Sequence, residues 1–218
     1  MRKQYVVIGM GRFGSSVATA LFNEGNEVLA IDKNEENIEK YQDCLTHAVI
    51  GDATDVQTLK EVGIRNFSTV IVAIGDDIQA SILSVLLLKE LGVKHVVAKA
   101  INNSHGRVLN KVGADRVIFP ERDMGERLAH QLMSSPNVLN FIELAEDYSM
   151  EEIKVPASMH GQNLREINMR ANYNITVIAI KNNNKIDILP NPDRALEPDD
   201  ILIVIGENED LQKFSHVS

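Results

Sequence analysis

Gln4-Tyr5-Val6-Val7-Ile8-Gly9-Met10-Gly11-Arg12-Phe13-Gly14, answered by Glu27-Val28-Leu29-Ala30-Ile31-Asp32, is the stretch whose reading decides the fold. An apolar run enters a glycine loop, a helical stretch follows, and a second apolar run ends on an acid. The three glycines sit where a tight strand-to-helix turn, a close backbone approach to a phosphate and close helix-strand packing each demand one. The helix that follows offers its free N–H groups and positive dipole end to an anion. Asp32, eighteen residues past Gly14, is placed to accept hydrogen bonds from ribose hydroxyls. The segment therefore predicts a nucleotide cradle.

Outward from it the alternation continues. Helices are predicted over 34–41, 55–62, 77–91, 103–112 and 123–133, with strands over 46–50, 68–74, 95–100 and 115–119. Six strands alternating with helices imply an α/β fold, a Rossmann-like doubly wound parallel sheet covered on both faces. Gly63, Gly92 and Gly113 each follow a helical stretch, as C-terminal capping glycines do. The rhythm breaks near Ser134-Ser135-Pro136-Asn137, where Pro136 reads as the start of a connecting helix. Beyond it, strands over 151–155, 176–181, 185–188 and 201–205 and a short helix over 164–168 predict a second, small α+β C-terminal domain. Asn182-Asn183-Asn184 marks a hairpin turn, because Asn tolerates positive φ. The expected division is 1–135 for the nucleotide domain, 136–147 for the linker and 148–218 for the small domain, a natural element for dimerisation.

Composition narrows the function classes. The chain has 218 residues, 44% apolar, and a formal net charge of −9 with no Lys/Arg stripe, which argues against nucleic acid as a partner. The single cysteine, Cys44, fits a reducing compartment and reads as a small, semi-buried residue. No run of eighteen apolar residues occurs, and Met1-Arg2-Lys3-Gln4 leads straight into the first strand, so a soluble cytosolic protein is expected. His47, His95, His105, His130, His160 and His216 are scattered without metal-ligand spacing. GxSxG and Walker motifs are absent, and no acid/base relay is evident, so catalysis is disfavoured.

The loops at the carboxyl ends of the strands carry the candidate contacts. Asp52 or Thr54, in Gly51-Asp52-Ala53-Thr54, either caps the next helix or faces an adenine edge. Ala73-Ile74-Gly75-Asp76-Asp77 lets backbone approach a base or ribose, with Asp76 or Asp77 also a candidate N-cap. Lys99 serves a phosphate or is a solvated strand-end lysine; Glu121 holds a hard cation or is a first-turn helix acid. Arg12 discriminates among ligands. A cation at a helix N-terminus is unfavourable unless an anion comes close, and the terminal phosphates of ATP or ADP leave charge for it to meet; the alternative is a side chain in solvent. Asp32 opposes a 2′-phosphate, hence NADP.

The chain resembles the RCK (KTN) regulators of potassium transport, and within them the cytosolic gating subunits of bacterial Ktr transporters (KtrA/KtrC type). The resemblance is carried by residues 7–14, by Ala48-Val49-Ile50-Gly51-Asp52-Ala53-Thr54, by Gly63-Ile64-Arg65-Asn66-Phe67, and by Val72-Ala73-Ile74-Gly75. It continues through Gly113-Ala114-Asp115-Arg116-Val117-Ile118-Phe119-Pro120-Glu121 with Asp123-Met124-Gly125, and through residues 198–206 with Asp210-Leu211. It implies TrkA-N and TrkA-C domains, a homodimer assembling to a homo-octamer ring, and a membrane-embedded potassium-translocating partner (KtrB/KtrD-like) that holds the subunit at the inner face of the membrane. It further implies ATP or ADP in the cradle, ATP activating, with Arg12 on the γ-phosphate and Glu121 binding a divalent cation (Mg or Ca) at the dimer interface. Gly9, Gly11, Phe13, Gly14, Asp32, Asn34, Asp52, Ala53, Thr54, Ala73, Gly75 and Lys99 would complete the nucleotide site. Cyclic di-AMP, an inhibitory effector, would contact Asn168, Met169, Arg170, Ile175 and Thr176, although Asn168 and Asn174 stand where the family often has Asp and Gly. The competing readings are a small NAD-dependent oxidoreductase and a free-standing nucleotide sensor.

Overall fold

The computed structural model describes residues 2–217 except 134 and 184. Ser134, at the predicted break, and Asn184, the last residue of the predicted turn, lie outside them. The chain divides into two compact units, Met1–Asp123 and Met124–Ser218.

In the first unit, β1 (Gln4–Ile8), α1 (Arg12–Asn23), β2 (Glu27–Asp32), α2 (Glu35–Tyr41), β3 (His47–Ile50) and α3 (Val56–Glu61) form one half. The other half comprises β4 (Thr69–Val72), α4 (Ile78–Glu90), β5 (His95–Lys99), α5 (Asn103–Lys111) and β6 (Arg116–Ile118). The sheet is parallel throughout, in the order β3-β2-β1-β4-β5-β6. Side chains alternate faces along a strand, and here both faces are covered, which is why the strands read as unbroken apolar runs. Val6, Ile8, Leu29, Ile31, Val70 and Val72 enter one buried cluster; Val7, Val28, Ala30 and Ile71 enter the other. The chain leaves the sheet centre in opposite directions from β1, so a crevice opens beyond the carboxyl ends of β1 and β4.

Helix boundaries follow local chemistry. Asn34, Asp55, Asp77 and Asn102 cap α2 to α5, each accepting a backbone N–H bond on its side chain. Gly63, Gly92 and Gly113 take positive φ after their helices, as the sequence predicts. The cap of α3 is Asp55, neither Asp52 nor Thr54 as expected. Asp52 instead accepts from both the N–H (2.8 Å) and the hydroxyl (2.7 Å) of Thr54, closing a turn of its own.

The second unit departs from expectation at its start. The predicted connecting helix from Pro136 does not form; Val138–Ala145 is a strand, β7, paired antiparallel with β8 (Tyr148–Lys154) across a Glu146-Asp147 turn. The apolar run that needed a packing partner finds one in the next strand, and proline suits the turn before β7 as well as it suits a first helical residue. The division after Asp123 also precedes the boundary expected at 135, because later residues are tied into this unit. Arg127 donates to Asn140 Oδ1 at 3.0 Å, and the Ser135 hydroxyl donates to the Ser215 carbonyl at 2.7 Å. Helix α6 (Pro120–Met133) runs across the division.

The remaining elements are α7 (Leu164–Ile167), α8 (Met169–Tyr173), β9 (Thr176–Asn182), β10 (Lys185–Ile188), β11 (Ile201–Glu207) and α9 (Asn208–Ser215), the last absent from the sequence reading. The sheet is antiparallel in the order β10-β9-β11-β8-β7. Ile153, Leu202, Val204, Leu211 and Phe214 form its core, with Tyr173 edge-on to Phe214 at 5.0 Å between centroids. Two buried acids have opposite environments. Asp200 accepts from Asn182, from both terminal nitrogens of Arg194 and from the Glu197 N–H, at 2.7–2.9 Å. Burial raises the Asp200 pKa, but these donors, Arg194 foremost, outweigh it and leave the carboxyl below its ordinary value. Glu151 has no such company. Its Oε2 is buried without a hydrogen-bond partner among the described residues, and burial pushes its pKa up.

Candidate nucleotide-binding cleft

The crevice at the switch point is a cleft of about 840 Å³ lined wholly by the first unit. Thirteen of the fourteen residues predicted for the nucleotide line it: Gly9, Gly11, Arg12, Phe13, Asp32, Asn34, Asp52, Ala53, Thr54, Ala73, Gly75, Lys99 and Glu121. Gly14 is the exception and is a packing residue. A Cβ there would lie 1.8 Å from the Gly9 carbonyl oxygen, so only hydrogen lets α1 pack against the loop. Gly9 takes φ +91, with Ala73 and Ile74 backbone 3.2 Å from where its Cβ would be. Gly11 has nothing within 4 Å of that position and opens on the cleft. The loop thus separates the glycine roles: two serve the fold, and the third leaves its side of the cleft open.

Charge in the cleft is uneven. Arg12 begins α1, a helix with no acidic residue in its first turn, and its side chain is exposed with no hydrogen bond or ion pair among the described residues. Lys99, at the end of β5, is buried and pairs with Glu121 Oε1 at 2.5 Å, in the first turn of α6. Its Nζ sits 5.7 Å from the centroid of the Phe13 ring and 3.3 Å from where a Cβ on Gly75 would stand, so Gly75 leaves room for the ammonium. The hydrogen bond from Lys99 holds the Glu121 carboxyl below its usual range, with the charges of Lys99 and Arg12 adding to it. Thr54 lowers the Asp52 pKa in the same way, through its hydroxyl and its N–H.

Asp32 is held by three donors: Met10 N–H at 2.6 Å, Asn34 N–H at 2.8 Å and Asn37 Nδ2 at 3.2 Å. The Asn34 side chain caps α2, and Asp77 caps α4, while Asp76 lines the cleft without a side-chain hydrogen bond among the described residues. Asn37, Lys33, Gln79, Leu83 and Ile101 also line the cleft and escaped the sequence reading. Their signal was positional only: each follows the carboxyl end of a central strand. A divalent cation has no ready-made cage, since no group of three or more His, Cys, Asp or Glu converges among the described residues.

In the second unit the residues expected to meet cyclic di-AMP separate. Asn168 (φ +48) joins α7 to α8, and Arg170 is exposed with Nη2 3.5 Å from the Thr176 hydroxyl. Met169 and Ile175 do not offer side chains to a ligand. Both are buried in the core of the unit, Ile175 against Gly206, where a Cβ would come within 2.9 Å of it.

Comparison with known proteins agrees with this architecture. Residues 5–120 match the TrkA-N domain and residues 150–217 the TrkA-C domain. The chain is 47% identical over 214 residues to Ktr system potassium uptake protein C of Bacillus subtilis (strain 168), covering 98% of this chain and 96% of the relative. It is 45% identical over 214 residues to Ktr system potassium uptake protein A of the same organism, with the same coverage of both. Among solved structures, a GsuK channel bound to NAD shares the fold at a TM-score of 0.66 and 15% identity, over 100% of this chain and 39% of the channel. Among the described residues, no helix is long and apolar enough to cross a membrane.

Proposed function

As this chain belongs to the TrkA-N/TrkA-C family, whose members similar to it include Ktr system potassium uptake proteins, we propose that it is the nucleotide-sensing, non-enzymatic regulatory subunit of a Ktr-type potassium-uptake system. The observation that carries the reading is Arg12, a cation without an ion pair among the described residues, at a helix N-terminus on the rim of a glycine-lined cleft that also holds Asp32. ATP and ADP differ only in the γ-phosphate, and Arg12 is a cation placed to meet it. A ligand shifts an equilibrium between two conformations only through unequal affinity for them, and Arg12 is where ATP and ADP become unequal. Lys99 serves the inner phosphates when its bond to Glu121 yields. Glu121 then supplies one oxygen to a divalent cation whose other ligands are phosphate oxygens, water or a second copy of the chain.

In this reading the subunit assembles as dimers in an octameric ring and gates a membrane-embedded potassium-translocating partner from the cytoplasmic side, with ATP favouring transport. Cyclic di-AMP binds the second unit as an inhibitor, with exposed Arg170 and half-buried Thr176 as the side chains for its phosphates and Asn168 setting the corner. NAD is the weaker ligand, because a dinucleotide's bridging phosphates are served by backbone N–H groups and leave Arg12 idle. The test is titration of the purified chain with ATP, ADP, NADH and cyclic di-AMP, together with co-purification with a potassium-translocating membrane subunit. Binding of ATP and ADP with different effects on the assembly is expected; tight NADH binding with hydride transfer and no response to ATP would overturn the reading.

A further inference from the structure

Asp32 lacks the acceptor capacity to take both ribose hydroxyls in the arrangement observed. A carboxylate offers about four lone-pair positions, two on each oxygen. Oδ2 accepts from Met10 N–H and Asn37 Nδ2, and Oδ1 accepts from Asn34 N–H. One position on Oδ1 remains. Two of the three donors are backbone groups of the glycine loop and of the start of α2, and the sheet and helix hold them in place. Asn37 is the movable one. It stands in the first turn of α2, lines the cleft, and gives Asp32 only one of its two amide N–H groups. Its other N–H and its carbonyl oxygen have no partner among the described residues.

We propose that Asn37 is a second ribose-reading residue, acting with Asp32 as a donor-acceptor pair. Asp32 Oδ1 accepts one hydroxyl, and Asn37 donates to the oxygen of the other while its first N–H keeps Asp32 in position. The inference rests on the nucleotide reading above and concerns only how the sugar is recognised. Neutral Asn37 is suited to this where a second carboxylate is not, since an ionised carboxylate has no hydrogen to donate and would repel Asp32 about 3 Å away.

The experiment is calorimetric titration of the full chain with ADP, 2′-deoxy-ADP and 3′-deoxy-ADP, for the wild type, Asn37→Ala and Asn37→Asp. The wild type should prefer ADP over at least one deoxy analogue by about tenfold, the effect of one hydrogen bond in a charged network. Both variants should bind ADP more weakly and discriminate by no more than about twofold against the analogue that lacks the hydroxyl met by Asn37, while still discriminating against the analogue that lacks the hydroxyl met by Asp32. Thermal melts separate positioning from folding: Asn37→Ala leaves Asp32 its two backbone donors, so this variant should melt within a few degrees of the wild type while its ribose discrimination changes. Variants that keep the wild-type preference, or a wild type indifferent to both hydroxyls, would overturn the role of Asn37 while leaving nucleotide sensing intact. A wild type that binds none of the three would bring down the nucleotide reading itself, and this inference with it.

Discussion

Gly11 and Gly14 lie three residues apart in one loop, and the structure predicts opposite consequences for adding a methyl group to each. At Gly14 the new Cβ would lie 1.8 Å from the Gly9 carbonyl oxygen and 3.1 Å from the Ala73 Cβ. That oxygen cannot step aside cheaply, because the Gly9 N–H is bonded to the Ile31 carbonyl at 2.8 Å in the middle of the sheet. Overpacking typically costs about 1–3 kcal/mol, and a backbone obstacle puts Gly14→Ala at the upper end or beyond. At roughly 3–5 °C per kcal/mol for a unit of this size, the melting temperature should fall by about 10 °C or more. At Gly11 the backbone has φ −66 and ψ −172, open to alanine, and nothing lies within 4 Å of the added atom. Gly11→Ala should therefore be neutral or stabilising by up to about 1 kcal/mol. In the proposed function its methyl would stand where phosphate approaches the loop, and one lost N–H to phosphate bond, about 1.5–3 kcal/mol, should weaken ADP by about 10- to 100-fold. Thermal melts followed by circular dichroism and ADP titrations on both variants decide it. Gly14→Ala melting like the wild type, or Gly11→Ala binding ADP like the wild type, would refute the division of labour.

Arg12→Ala should weaken ATP by about tenfold and ADP far less, as one charge-assisted contact at an exposed site allows; equal losses in parallel titrations would remove Arg12 from the γ-phosphate. Glu151→Met should stabilise the second unit at neutral pH by about 1–3 kcal/mol by removing an unsatisfied buried carboxylate, measured by urea unfolding. The folded-state pKa of Glu151 is raised, so the folded protein takes up its proton first. The wild type should consequently gain stability relative to Glu151→Met as pH falls through that raised pKa towards the ordinary glutamate value, and a difference independent of pH would contradict the assignment. Asp200→Asn should act in the opposite sense, costing about 1–3 kcal/mol by weakening the charged hydrogen bonds between a buried carboxylate and part-exposed Arg194. The folded pKa of Asp200 is lowered, so its contribution is full above the ordinary aspartate value and lost as pH falls through the folded one. The same unfolding series checks this.

What the sequence made legible divides along a physical line. The parallel sheet follows from two periodic signals, apolar runs and glycine stops, and the topology of such a sheet brings the ends of β1 to β6 to one edge, where the crevice lies. That is why thirteen of fourteen residues chosen at strand ends line one cleft. Gly14, the fourteenth, has the same motif position in every reading of the loop, but its role depends on a 1.8 Å approach that no pattern states. Between Asp52 and Asp55 three side chains can cap α3, and the choice falls to Asp55 only because the helix starts one residue after it. Residues 138–145 carry an apolar pattern compatible with helix or strand, and pairing with β8 decides between them. Met169 and Ile175 look like ligand contacts in a motif and are core in the fold, since an apolar side chain in a small domain is drawn first to the interior. Asn37 is the instructive case for function. Nothing in Glu35-Glu36-Asn37 distinguishes it from a solvated first-turn residue; its bond to Asp32 exists because the sheet delivers β2 and α2 to the same edge of the cleft. Chemistry that depends on a residue's own type, such as the charge of Arg12, was readable in advance. Chemistry that depends on how many acceptor sites a neighbour has left required the coordinates.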